Sequence, residues 1–314
     1  MTEFTDIPVI DASALYDGDQ TTLIDAFRKA YGTTGFGYIV NHGIDPALVE
    51  AVFDASRRFH ALPMDAKMAI SVDRNHRGYI PIDTSTDVNS TLAEVTKPNQ
   101  SASFMMMRED AVEIPGQFLS GPNQWPDLPE FRGVLEAYTQ ALSQLGYALM
   151  QVALQAAGVT DLSIMFAFET PTTWLRLLHY PPAPAQAPDD LFGSAPHTDF
   201  GCLTILAQDD VGGLQVRTPA GNWVDAPRIP GSFVVNVGDM LHRLSNGRLL
   251  STPHRVINRS GRERYSCPFF YDPNVATEIS PQPGTGTARF QPIGFDDFLR
   301  GELEAAYDAH KGAP

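Results

Sequence analysis

Five residues in the second half of the chain carry the chemistry. His197 and Asp199 stand two apart around Thr198, His254 follows far downstream, and Arg264 and Ser266 flank Tyr265 a little further on. Two imidazoles and one carboxylate suit a ferrous ion that keeps open coordination positions, the facial-triad arrangement. Alternate residues of a strand project from one face, so His197 and Asp199 are expected to point together, as are Arg264 and Ser266. The second pair fits a carboxylate, because a guanidinium and a hydroxyl can share its two oxygens. A reactive metal beside an anchor for an organic acid implies redox chemistry. A His-x-Asp pair alone also arises by chance, and His42, His60, His76, His179, His242 and His310 offer competing partners. The Arg264/Ser266 pair, expected in the same sheet as His254, favours the first reading. Arg264 begins a largely apolar run to Tyr271, and a buried arginine there needs an anion. Phe270 shares its parity and reads either as an apolar wall beside the ligand or as core.

The elements that must position these groups change character along the chain. Ile7–Asp11 and Gly35–Val40 read as strands. Helical spacing of Leu23, Phe27 and Tyr31, and a helix opening at Pro46, make the first part mixed α and β. From Arg74 to about Trp125 periodicity is poor, which predicts a long irregular segment. Loops of that length are usually functional, so 84–107 is a candidate lid and Phe104-Met105-Met106-Met107 either lines a cavity or fills core. The strongest helix lies over 127–157, with Phe131, Leu135, Tyr138, Leu142, Leu145, Leu149 and Val152 in one stripe. After Pro171 come short strands separated by turns: Thr173–Tyr180, His197–Leu206, Leu214–Val216, Ser232–Val237, His254–Asn258 and Arg264–Tyr271. That spacing favours a barrel or sandwich, of which the double-sheet jelly roll is the common metal-holding form. A closing amphipathic helix is expected over 295–310. The expected organisation is one domain over 1–314: an α/β region over 1–110, the 127–157 helix, a catalytic core over 172–273 and the final helix.

Composition narrows the class. Apolar residues are 43% and charged residues 19% of 314, an ordinary globular balance with a large core. The net charge of −15 repels nucleic-acid phosphates and anionic lipid. No apolar run reaches membrane-spanning length, and the N-terminus lacks the basic and apolar segments of a signal peptide. Cys202 and Cys267 fall in expected core strands and read as free thiols. A cytoplasmic protein acting on a small molecule, with no nucleic-acid, membrane or obligate protein partner, is the expectation.

The motifs together resemble the isopenicillin N synthase-like group of iron(II)/2-oxoglutarate-dependent oxygenases. They begin with Ile7-Pro8-Val9-Ile10-Asp11, Gly35-Phe36-Gly37-Tyr38, Asn41-His42-Gly43-Ile44 and Arg77-Gly78-Tyr79, and continue with Gly121-Pro122-Asn123-Gln124-Trp125-Pro126. They end with Tyr180-Pro181-Pro182, His197-Thr198-Asp199, Asn236-Val237-Gly238-Asp239, Ser245-Asn246-Gly247-Arg248, Pro253-His254-Arg255-Val256 and Arg264-Tyr265-Ser266. The resemblance covers most of the chain to about Pro273. It implies a mostly β fold with α: a distorted double-stranded β-helix (jelly-roll) core, an N-terminal α/β layer and flanking helices. It implies Fe(II) on His197, Asp199 and His254, and 2-oxoglutarate held at its distal carboxylate by Arg264, Ser266 and Tyr180. The Asn236–Asp239 element is implied as support, with Asp239 not a ligand. One departure stands out. Many plant relatives carry asparagine two residues before that tyrosine, where this chain has Leu178. That leaves either a different hold on the metal end of 2-oxoglutarate or a pocket tuned to another substrate. Arg176 shares parity with Leu178 and Tyr180 and points either inward, to meet an anionic substrate, or to a surface acid.

The activity so implied is oxidation of a small organic molecule (hydroxylation, desaturation or cyclisation) by O2, with 2-oxoglutarate converted to succinate and CO2. Alternatives on the same scaffold are an oxidase or an ethylene-forming type that does not use 2-oxoglutarate in the coupled way, and a non-catalytic ligand-binding protein.

Overall fold

The computed structural model describes residues 3–16, 18–85, 97–184, 186–188 and 190–306. Its strands are β1 (Val9–Asp11), β2 (Phe36–Val40), β3 (Gly78–Ile80), β4 (Ala102–Met107), β5 (Thr172–Tyr180), β6 (Ser194–His197) and β7 (Leu203–Gln208). They continue with β8 (Leu214–Arg217), β9 (Trp223–Asp225), β10 (Ser232–Val237), β11 (His254–Val256), β12 (Arg264–Asp272), β13 (Glu278–Ile279) and β14 (Ile293–Gly294). The α-helices are α1 (Thr21–Thr33), α2 (Pro46–His60), α3 (Met64–Met68), α4 (Phe131–Ala156), α5 (Asp239–Leu244) and α6 (Phe295–Ala306).

Eight strands form one sheet in the order β1-β2-β10-β7-β12-β5-β4-β3, and four form a second in the order β6-β11-β8-β9. Only β1 and β2 pair in parallel within these sheets; the other pairings are antiparallel. Leu178, Tyr180, Leu206 and Val234 of the large sheet share an apolar cluster with Leu214, Val216 and Val256 of the small one, so the sheets face each other. This is the jelly-roll core, mostly β with helices outside it.

Alternation along β12 explains the layering. Arg264, Ser266, Pro268, Phe270 and Asp272 face the space between the sheets. Cys267, Phe269 and Tyr271 point the other way, into the core shared with α4. Helix α4 buries Leu135, Leu142 and Leu149 completely, and truncating one such leucine costs about 2–5 kcal/mol. The N-terminal α/β layer joins the core directly, because β1 to β4 belong to the same large sheet.

Several expectations need correction. The segment from Arg74 to Trp125 is not wholly irregular: it supplies β3 and β4, and Phe104 to Met107 are buried sheet residues. The expected lid therefore shrinks, since Ala102–Met107 pairs with β5; residues 86–96 lie outside the described residues. The run His197–Leu206 is two strands in different sheets, β6 and β7, joined by a turn. Asp199 lies in that turn, past the end of β6, so strand parity with His197 is not what brings the pair together. His254 and Arg264 occupy different sheets as well, facing each other across the core. Both cysteines are buried free thiols. No helix among the described residues is long and apolar enough to cross a membrane.

Candidate metal and 2-oxoglutarate site

The turn after β6 is shaped by backbone, then filled by side chains. The first N–H groups of α5, which have no partner inside a helix, donate into the turn. Asp239 N reaches Asp199 O at 2.8 Å, Met240 N reaches Gly201 O at 2.9 Å, and Gly238 N reaches Cys202 O at 2.9 Å. Gly238 is required by this contact: a Cβ there would run into Gly201 O and sit 2.9 Å from Asp199 O. Gly201 is required on the other side, where a Cβ would overlap the Asp272 carboxylate.

His197 and His254 are directly paired across β6 and β11. His197 Nδ1 lies 2.7 Å from Ala195 O and His254 Nδ1 3.3 Å from Thr252 O. A carbonyl only accepts, so both Nδ1 atoms carry the proton, which leaves Nε2 as the ligating lone pair. Each Nε2 is 3.7 Å from Asp199 Oδ1. The other carboxylate oxygen, Oδ2, accepts from Asn236 Nδ2 at 2.7 Å and from Thr204 Oγ1. Burial by itself raises the Asp199 pKa, but His254, His197, Asn236 and Thr204 together hold it below the usual carboxylate value. Among the described residues these three side chains are the one group placed to hold a metal ion. Two imidazoles that turn Nε2 toward a shared carboxylate, each group oriented by a partner behind it, fit Fe(II).

Arg264, 1% exposed, lies in the same cavity. Its Nε donates to Gly212 O at 2.6 Å, and its terminal nitrogens to Ser266 Oγ at 3.3 Å and Gln208 Oε1 at 3.4 Å. Its guanidinium lies 4.6 Å from the centre of the Tyr180 ring. All of these partners are neutral, and no carboxylate among the described residues comes within ion-pair distance. A charge buried among neutral groups is costly, so the site fits an incoming carboxylate.

The cavity between the sheets, about 140 Å3, brings together every residue expected at the site: His197, Asp199, His254, Arg264, Ser266, Tyr180, Arg176 and Phe270. Leu178 lines it too, between Tyr180 and Arg176. Other lining groups lie outside the expected set: Asp272, Trp174, His76 and Leu303 of α6. Asp272 accepts from Trp174 Nε1 at 2.9 Å and Cys202 N at 2.6 Å, and burial pushes its pKa up to about 7 against those two bonds. His76 packs edge-on against Trp174 from a left-handed backbone position, φ 62°.

Comparison with known proteins defines the class. Residues 171–273 match the model of the 2OG-Fe(II) oxygenase superfamily, and residues 7–128 match the N-terminal model of non-haem dioxygenases in morphine synthesis. A 2-oxoglutarate-Fe(II) type oxidoreductase, hxnY of Emericella nidulans, is 36% identical over 96% of this chain and 90% of its own length. A full-length Neurospora crassa protein, solved in complex with alpha-KG, superimposes with a TM-score of 0.81 at 30% identity, covering 95% of this chain and 96% of its own. JOX2, solved with 2OG, Fe and JA, gives a TM-score of 0.77 at 30% identity over 93% of this chain and 83% of its own. The chain therefore belongs to the 2-oxoglutarate- and iron(II)-dependent oxygenases. It is an oxidoreductase that uses Fe(II), 2-oxoglutarate and O2 to oxidise a small organic molecule, releasing succinate and CO2.

Proposed function

We propose that His197, Asp199 and His254 hold the ferrous ion and that Arg264, Ser266 and Tyr180 hold the distal carboxylate of 2-oxoglutarate. Arg176 and Phe270 face the organic substrate. The observation that carries this reading is the convergence of the three ligand atoms beside a buried guanidinium with only neutral protein partners. When bound, iron and 2-oxoglutarate supply the oxidising chemistry, using one O2 per substrate and yielding succinate and CO2 from the co-substrate.

The protein's own contributions are positioning and shielding. Asn236 and Thr204 hold the Asp199 Oδ2, which leaves Oδ1 as the oxygen that would meet the ion. Ala195 and Thr252 set the two imidazoles in one tautomer. Leu178, Leu206 and Val256 wall the co-substrate end with apolar surface, which excludes water from the reacting centre. Leu178 offers no amide to the metal end of 2-oxoglutarate. Motifs in a common order from Ile7 to Ser266 support a place in the isopenicillin N synthase-like group. Strands from both halves in one sheet support a single oxygenase domain over 1–314. Two free buried thiols support a reducing, cytoplasmic setting.

The test is anaerobic addition of Fe(II) and then 2-oxoglutarate to metal-stripped protein, followed by visible spectroscopy. A weak charge-transfer band should appear, vanish in His197→Ala and weaken sharply in Arg264→Ala. Iron binding without a band at saturating 2-oxoglutarate would overturn the assignment of Arg264 and Ser266.

A further inference from the structure

Resting on that reading, we infer that the substrate is a carboxylic acid with a compact apolar body, and that Arg176 binds its carboxylate. Arg176 lies on the cavity face of β5, between Leu178 and Trp174. One hydrogen bond, from a terminal nitrogen to the buried Ser103 Oγ at 3.0 Å, is its whole set of partners among the described residues. Its Nε is buried with no hydrogen-bond partner among the described residues. No acid among the described residues pairs with it. Arg77 shows what a structural arginine looks like in this fold. Its Nε is also unpaired, but its terminal nitrogens donate to the carbonyls of Asn75, Leu119 and Arg108, and it lies outside this cavity. Arg176 has no such cradle, so its charge is left for something that enters the cavity.

Arg264 pairs directly with Tyr180, and Arg176 lies four residues along β5 from Tyr180, about 13 Å of strand, so the two arginines enter the cavity from separate points of its wall. With the co-substrate carboxylate assigned to Arg264, Arg176 is the guanidinium left for a second anion. Leu178, Met105, Trp174 and Phe270 give the cavity apolar walls, with His76 and Asp272 in contact with Trp174 as polar groups among them, which suits a small hydrocarbon or aromatic body. The chain's net charge of −15 disfavours anions at long range, so recognition must come from this local guanidinium.

The experiment uses the full chain with Fe(II) and saturating 2-oxoglutarate. Matched acids and amides are titrated anaerobically: phenylacetate with phenylacetamide, cinnamate with cinnamamide, octanoate with octanamide. Perturbation of the charge-transfer band and quenching of indole fluorescence report binding, and succinate release is measured separately in air. Acids should bind about tenfold or more tightly than their amides, as a charge-assisted hydrogen bond requires. Arg176→Gln should abolish that preference and Arg176→Lys should keep part of it. Equal binding of acids and amides, no binding of any acid in the panel, or an intact preference in Arg176→Gln would overturn the inference. Failure of the band to form in the parent enzyme is a different result, and it would sink the assignment of the co-substrate site instead.

Discussion

Asn236 Nδ2 donates to Asp199 Oδ2 at 2.7 Å and, with Thr204 Oγ1 on the same oxygen, leaves Oδ1 facing the two imidazoles. Asn236 is nearly fully buried in β10 and lines the site cavity.

Asn236→Ala should therefore weaken metal binding about tenfold to a hundredfold, the usual penalty for losing a group behind a ligand. It should also shift the pH dependence. The Asn236 bond lowers the Asp199 pKa, so its removal lets the carboxylate take up a proton at higher pH, and metal is lost earlier on acidification. Anaerobic Fe(II) titrations at several pH values give both numbers. An unchanged affinity in a folded variant would mean that Thr204 alone orients Asp199.

Truncating Arg264 should act on the co-substrate and spare the metal. Arg264→Ala removes the one buried charge facing the distal carboxylate, a loss of about 2–5 kcal/mol, or roughly 30-fold or more in 2-oxoglutarate affinity. Fe(II) affinity should stay near that of the parent, because no metal ligand touches the guanidinium. Parallel titrations of metal and of 2-oxoglutarate separate the two. A matching fall in both would show that the variant has disturbed the whole cavity.

The site is legible in the sequence wherever its members repeat at a short period, and obscure wherever tertiary folding assembles them. Arg264, Ser266 and Phe270 share one face of β12, and parity alone groups them. The same parity reaches Asp272 and, on β5, Trp174, but an Asp after a tyrosine reads as the end of a strand. Asn236 carries a signal of its own, as the lone amide inside Phe233-Val234-Val235-Asn236-Val237. His76 and Leu303 come from segments far apart in the chain, and nothing local says that they meet. β4 is hidden because Ala102–Met107 has no β-branched residue and three methionines, which favour helices in isolation. Its burial on both faces overrides that preference. The strands on either side of Asp199 merge into one in the sequence because the turn offers little beyond Gly201 as a turn signal.

Gly238→Ala tests the packing of the metal-bearing turn. The new Cβ would meet two backbone oxygens, overlapping that of Gly201 and lying 2.9 Å from that of Asp199, and neither can rotate away. A destabilisation of about 1–3 kcal/mol is expected from such overpacking. Because Asp199 belongs to the displaced turn, metal affinity should fall together with the apo-protein's unfolding midpoint. Loss of stability with metal binding intact would show that the turn adjusts without moving its ligand.

Acid sensitivity should trace in part to His60, behind the large sheet. Its Nε2 donates to Leu177 O at 2.9 Å, and its Nδ1 is buried without a partner among the described residues. Burial holds its pKa down to about 3; the Leu177 carbonyl opposes the shift, while His179 and Lys67 add to it. An unfolded chain binds that proton near pH 6.5, so the folded state holds its full advantage above pH 6.5 and loses it as the pH falls toward 3. The slope from this one group is at most about 1.4 kcal/mol per pH unit. His60→Gln can keep a donor toward Leu177 and cannot titrate. Its denaturant midpoint should therefore start below that of the parent at about pH 7.5 and fall less steeply between about pH 6 and 4. Parallel curves for the two proteins over that range would place the acid sensitivity elsewhere and remove His60 from the account.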